Sequence, residues 1–117
     1  MTLDARYLRG IDHFNRREFF EAHEVWEDLW IEVNDDRKGF YHGLIQAAVA
    51  LHHARRGNFG GASTLYARMV NNLDMFRPAY ESLDVDAFLA AMAACVPRAV
   101  ETRAIDERQI PRIALSV

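Results

Sequence analysis

The segment Phe19-Phe20-Glu21-Ala22-His23-Glu24-Val25-Trp26-Glu27 concentrates the side chains able to do chemistry. His23 and Glu27 stand four residues apart, so on a helix they lie one turn apart on one face and can hydrogen-bond. Three roles fit that spacing. In the first, His23 is a partly buried structural histidine satisfied by Glu27 or a backbone carbonyl, and the outer acids are a solvated face. In the second, Trp26, Trp30 and His23 line a pocket or groove, with Glu24 or Glu27 as a polar anchor, because binding sites are mostly apolar with a few placed polar groups. In the third, His23 and Glu27 ligate one divalent metal and Glu24 is the general base of a metal-dependent enzyme. Further ligands would come from the segment after residue 37, where His42, Gln46 and His53 fall within about 40° of one another on a helical wheel. The spacing does not reproduce the His-x-x-x-His or Glu-x-x-His patterns of established metal sites.

Other chemistries find little support. Ser63, Ser82 and Ser116 lie in no nucleophile-elbow context. Gly57, Gly60 and Gly61 lack the lysine and the preceding strand of a phosphate-binding loop. The net charge is −3, and Glu18, Glu21, Glu24, Glu27, Asp28, Glu32, Asp35 and Asp36 follow one another with no Lys or Arg among them. Such a stretch repels a phosphate backbone, so a nucleic-acid partner is not expected. No run is long enough to cross a membrane, and Met1 to Arg9 has no apolar signal core; the expectation is a soluble, cytoplasmic protein with no membrane partner. The lone Cys95, among Met92, Ala93, Ala94 and Val96, reads as a buried, inert thiol.

These side chains must be positioned by helices. The chain has 117 residues, half of them hydrophobic, which suits one domain spanning 1–117 with a real core. Periodicity predicts an all-α, compact bundle of about five helices with an irregular C-terminal tail. The first covers roughly 3–14, with Leu3, Tyr7, Ile11 and Phe14 on one face. Asn15-Arg16-Arg17-Glu18 has capping-box spacing, so Asn15 is expected to cap the second helix, roughly 17–33. That helix carries a stripe of Phe19, Ala22, Val25, Trp26, Leu29, Trp30 and Val33, and a second apolar side at Phe20 and Ile31. Apolar residues on two sides imply packing over a wide arc or an oligomer interface, hence an expectation of self-association. Asn34-Asp35-Asp36 caps the third helix, roughly 37–56, which ends at Gly57, a residue type suited to a left-handed cap. Asn58 starts the fourth, where Gly60 and Gly61 are expected to admit a neighbouring helix. Pro78 stops it. The fifth begins near Asp84, and Pro97 is expected to end or kink it. Asn71-Asn72 reads as a solvated edge, His42 and His53 as surface residues, and Ile113 and Leu115 as docked on the bundle.

The run from Phe14 to Trp30 resembles the signature of the domain of unknown function 309 family. So does Gly43-Leu44-Ile45-Gln46-Ala47-Ala48-Val49-Ala50-Leu51-His52-His53, followed by Gly57-Asn58 and Gly61-Ala62. The likeness covers Phe14 to roughly Phe76. It implies a small all-helical protein found mainly in prokaryotes, and brings no reaction. The positions that match are Glu21, His23, Glu24, Glu27, Trp30, Gln46, His52, Gly57 and Asn58; where the family commonly has glycine before the signature helix, this chain has Arg17. The resemblance favours His52 as the companion of His23. The expectation is therefore an interaction or small-ligand-binding module with an unknown protein or small-molecule partner. Its candidate site is Glu21, His23, Glu24, Glu27, Trp30, Gln46 and His52. No cofactor follows firmly; a divalent metal on His23, Glu27 and His52 is the alternative.

Overall fold

A computed structural model describes residues 2–116. Five α-helices account for most of them: α1 (Ala5–Asn15), α2 (Phe19–Glu32), α3 (Arg37–Arg55), α4 (Phe59–Asp74) and α5 (Val85–Thr102). A two-stranded antiparallel hairpin, β1 (Ala79–Tyr80) and β2 (Leu83–Asp84), joins α4 to α5. The helical periodicity did not foresee this hairpin. Its turn residues Glu81 and Ser82 both have positive φ, 50° and 61°, in place of the Asn-Gly that usually marks such a turn.

The middle of the bundle is α3, which packs most extensively on α4 and α2. Phe40, Tyr41, Leu44, Ala47, Ala48 and Leu51 are fully buried along it. On one side it meets Ala22, Trp26 and Leu29 of α2, and on the other Ala62, Met69 and Leu73 of α4. A methyl group at Gly43 would run into Leu73, so the close approach of α3 and α4 occurs there. The expected approach at Gly60 and Gly61 does not: Gly60 faces open space, and the space beside Gly61 is taken by the side chains of Asn58 and His53. The turn itself is as expected, with Gly57 at φ 78° and the Asn58 Oδ1 accepting from the Gly61 N–H at 3.0 Å.

Tyr7, Ile11 and Phe14 hold α1 against the core at helical spacing, after an N-cap at Asp4 whose Oδ1 accepts from the Arg6 N–H at 2.8 Å. Asn15 does not cap α2. It closes α1, and its side chain is engaged by the C-terminal tail, donating to the Ile113 carbonyl and accepting from the Ile113 N–H, both at 2.8 Å. The α1–α2 turn is instead made by Arg17 at φ 64°. A left-handed arginine costs about 1–2 kcal/mol that glycine avoids, and the Nη1 of Arg17 is buried without a hydrogen-bond partner among the described residues. Arg17→Gly is therefore expected to stabilise the protein by about 1 kcal/mol, after the added chain entropy of glycine, and to raise Tm by about 4 °C. A lower Tm in thermal unfolding would contradict it.

Helix α5 runs through Pro97 to Thr102 rather than ending there. Met92, Cys95, Val96 and Ala99 are buried on both sides of the proline, while Pro97 itself is exposed, so core packing holds the helix together across the missing N–H. Burial pushes the Cys95 thiol up to about 11, which keeps it protonated and unreactive at neutral pH. The tail is irregular apart from a short 3-10 turn (Glu107–Gln109), with Ile110 and Ile113 buried and Leu115 partly so.

Candidate functional site

On α2 the buried stripe of Phe19, Ala22, Trp26 and Leu29 fixes the helix rotation, and this turns His23, Glu27 and Trp30 to the groove with α3. Trp26 is fully buried, with its indole N–H donating to the Tyr7 carbonyl at 3.2 Å. Trp30 is only partly buried, so of the two tryptophans on the stripe just one is core. Phe20 and Ile31 lie on the outer side, 51% and 61% exposed.

The His23 Nε2 lies 3.1 Å from the Glu27 Oε2, with imidazole and carboxylate 24% and 48% exposed. A ring that donates its Nε2–H to the Glu27 carboxylate has Nδ1 left over as its second polar atom. That Nδ1 is buried and has no partner among the described residues. The ring of Phe20 lies against both, 5.7 Å from that of His23 and 5.9 Å from that of His52. Burial holds His52 below the ordinary histidine range, helped by the Arg56 charge, and makes it a neutral ring at pH 7.

A second cluster lies seven residues further along α2, about 10 Å up the axis. Trp30 packs against His42 at 5.2 Å, and the Lys38 Nζ stands 4.3 Å over the indole while donating to the Trp30 carbonyl at 2.7 Å. Lys38 thereby closes the C-terminal end of α2 with a cation, where the helix dipole favours one. His42 lies 3.5 Å from the Gln46 amide nitrogen. Gln46 is 5% exposed, and its Oε1 accepts from the Asn72 Nδ2 at 2.7 Å. Asn72 is thus part of a polar bridge from α3 to α4 and not a solvated edge. His42 and His53 are half-buried rather than plain surface residues, and His53 Nδ1 lies 3.3 Å from the Asn58 amide.

The seven candidate residues therefore divide. His23 pairs with Glu27, the Phe20 ring touches both His23 and His52, Trp30 and Gln46 are linked through His42, and Glu21 and Glu24 point outward and are exposed. Glu21 contributes by its charge, which acts on His52. Phe20 carries a sequence signal as an apolar residue on the second side of α2; Lys38 and Asn72 carry none, because their roles depend on which helix ends meet.

The metal expectation fails on this geometry. Among the described residues no group of three or more His, Cys, Asp and Glu side chains is arranged to hold one metal ion. The ligand set His23, Glu27 and His52 is not assembled, and a general-base role for Glu24 falls with it. The site is also open. Four clefts of the fold are lined by the α2–α3 turn, the hairpin, the end of α5 and the tail, and none of the four by His23, Glu27 or Trp30. No helix among the described residues is long and apolar enough to cross a membrane.

These features define a five-helix bundle with an open, acidic face on which histidine and aromatic side chains interleave. The chain belongs to the family described as Domain of unknown function (DUF309), whose model matches residues 7–65, from α1 into α4. The match contains every residue of the face except Asn72. The chain is similar to the uncharacterized protein YpuF of Bacillus subtilis (strain 168), 42% identical over 71 residues that make up 60% of this chain and 41% of that protein. It is also similar to an uncharacterized protein of Aquifex aeolicus (strain VF5), 44% identical over 60 residues, 50% of this chain and 18% of that protein. The chain thus spans less than half the length of either relative. The family has no assigned activity, and both relatives are bacterial.

Proposed function

We propose that this chain is a non-catalytic binding module whose α2–α3 face receives an amphipathic helical segment of another protein, one carrying apolar side chains and Lys or Arg. The observation that carries this reading is the outer side of α2. Phe20 and Ile31 are more than half exposed and eleven residues, or about three turns and ~16 Å, apart. Glu24 and Glu27 stand between them on the same side, with Glu21 and Asp28 alongside. Fully covering a side chain of that size stabilises a complex by about 1.5–3 kcal/mol. Glu21, Glu24 and Asp28 have no ion-pair partner among the described residues and are available to cations, whereas Glu18, Glu27, Glu32 and Asp35 are each held by His13, His23, Arg6 and Arg37. The His23–Glu27 pair, Trp30 and His52 then serve as the floor of the groove, and Gln46 supports it from α3.

Self-association through Phe20 and Ile31 is the second reading, favoured by their exposure. A two-fold contact would place Glu24 and Glu27 of one copy against the same patch of the other, and like charges oppose it. A cationic partner has no such conflict.

The test uses a synthetic amphipathic helical peptide with two leucines eleven residues apart and lysines between them. The unchanged protein is expected to bind it with an affinity that weakens as salt is added. Phe20→Ser with Ile31→Ser should weaken binding at least tenfold by isothermal titration calorimetry while changing stability by no more than about 0.5 kcal/mol. A double variant that loses stability yet binds the peptide unchanged would show that the two side chains belong to the fold and not to a binding face. A change in sedimentation-equilibrium mass in that variant, with no effect on the peptide, would favour the self-association reading.

A further inference from the structure

The α1–α2 turn delivers the chain to the Phe20 end of the peptide face, and its own residues hold it poorly. Arg17 has φ 64°, a left-handed conformation that costs an L side chain energy. Glu18, just before α2, makes no side-chain bond to the helix amides. Its carboxylate is turned back to His13, 2.9 Å from Nδ1. The first backbone bond of α2 is that of the Ala22 N–H to the Glu18 carbonyl at 3.0 Å. A helix start without a side-chain cap leaves its leading amides unsatisfied and is less stable at that end. Phe19 and Ala22 seat this first turn on the core, while Phe20 and Glu21 form its exposed side.

The missing hold comes from the segment after α5. The Asn15 amide donates to the Ile113 carbonyl and accepts from the Ile113 N–H, both at 2.8 Å, and Arg112 Nη1 donates to the Asn15 carbonyl at 3.4 Å. Arg55, the last residue of α3, joins turn and tail. Its Nη1 donates to the Arg17 carbonyl at 3.2 Å, and its Nη2 lies 3.3 Å from the Glu107 carboxylate. Three tail residues thus act on Asn15 and Arg17, directly or through Arg55. The tail in turn is anchored by the buried side chains of Ile110 and Ile113 and by the Ser116 N–H, which donates to the Ser82 carbonyl at 2.9 Å. Few anchors and little regular structure mark a segment that opens locally at a lower free energy than the bundle unfolds.

We propose that residues 104–116 are a strap that orders the first turn of α2 and, through it, the peptide face. Docked, the strap fixes the α1–α2 turn and presents Phe20 and Glu21. Undocked, it releases that turn, and the face loses its Phe20 end while Trp26 and Leu29 keep the rest of α2 in the core. This control presupposes that the α2–α3 face is a binding surface. Coupling of this kind is reciprocal: a partner that needs the ordered first turn also favours the docked strap.

Hydrogen exchange and peptide affinity, measured on whole-chain variants from both sides of the clamp, test the strap. Asn15→Ala removes both side-chain bonds to Ile113. Ile113→Ser removes a buried anchor and changes the strap alone. Each is expected to speed amide exchange at Ala22, His23 and Glu24 by about tenfold, the worth of one or two hydrogen bonds. Each should also weaken the leucine-lysine peptide by about fivefold, the low end of coupling between sites. Met69→Val, a core change on α4, which packs on α3 and α5, should lower stability and leave both readouts unchanged. In the unchanged protein, saturating peptide should slow exchange at Ile113 and Ser116, whose N–H groups are bonded to Asn15 and Ser82. If Asn15→Ala does not fold, Ile113→Ser decides.

The proposal is overturned if the strap variants leave the α2 amides as protected as before, or if Met69→Val releases them as much. Tighter peptide binding in Ile113→Ser would also overturn it, by making the strap a competitor. A chain that binds no peptide while Ile113→Ser still releases the α2 amides would refute the binding reading and keep the strap as an ordering element of α2.

Discussion

Trp26→Ala is expected to destabilise the protein by about 3–5 kcal/mol, whereas Trp30→Ala, four residues later on the same helix, should cost only about 1–2 kcal/mol. The difference follows from where the two rings end. Trp26 is 0% exposed, with its ring 5.9 Å from that of Phe14 and its N–H bonded to the Tyr7 carbonyl. Its removal leaves a cavity between α1, α2 and the core and an unfilled space that neighbouring backbones cannot close. Trp30 is partly exposed and meets His42 and Lys38 at the rim, where water replaces a lost contact cheaply. Urea unfolding with linear extrapolation measures both. Equal losses would mean that Trp30 is core, and would remove it from the open face.

Gly10→Ala is the second large effect, and it acts on the same ring from the other side. A methyl group at Gly10 would collide with Nε1, Cδ1 and Cε2 of the Trp26 indole. A fully buried indole cannot swing aside, so α1 must lift from α2 and the Trp26–Tyr7 hydrogen bond must stretch. The expected loss is about 3 kcal/mol, at the upper end of overpacking costs, despite alanine being the better helix former. Gly60→Ala is the internal control. It also lies in a helix, but faces open space, so it should be neutral or stabilise by up to about 1 kcal/mol. A harmless Gly10→Ala would mean that α1 is not seated on Trp26 as described.

The contrast between these glycines shows how far the amino-acid sequence is legible. Local chemistry reads well: the stripes of α1 to α5, the Gly57-Asn58 turn and the start of α5 at Asp84 all follow from periodicity and capping. What fails is non-local. Asn15 has the spacing of a cap, but its amide is claimed by Ile113, 98 residues away, and no local pattern records that competition. Nothing in the neighbourhood of Gly10 shows that an indole will lie on it. The Glu81-Ser82 turn hides because it is left-handed without the usual residue types. At the candidate site, the His23–Glu27 pair is visible because it lies within one helix. Its relation to His52, and the contact of both imidazoles with the Phe20 ring, depend on how α2 and α3 pack, which no local pattern records.

The central claim is that the outer side of α2, with its floor on α3, is a surface for a cationic amphipathic partner. Amide chemical-shift mapping during titration with the leucine-lysine peptide tests it most directly. The predicted footprint takes in Phe20, His23, Glu24, Glu27, Ile31 and His52, saturates with one peptide per chain, and disappears in the Phe20→Ser, Ile31→Ser variant. Shifts found only around Asp36 and Glu81, or spread evenly over every acidic residue, would contradict it.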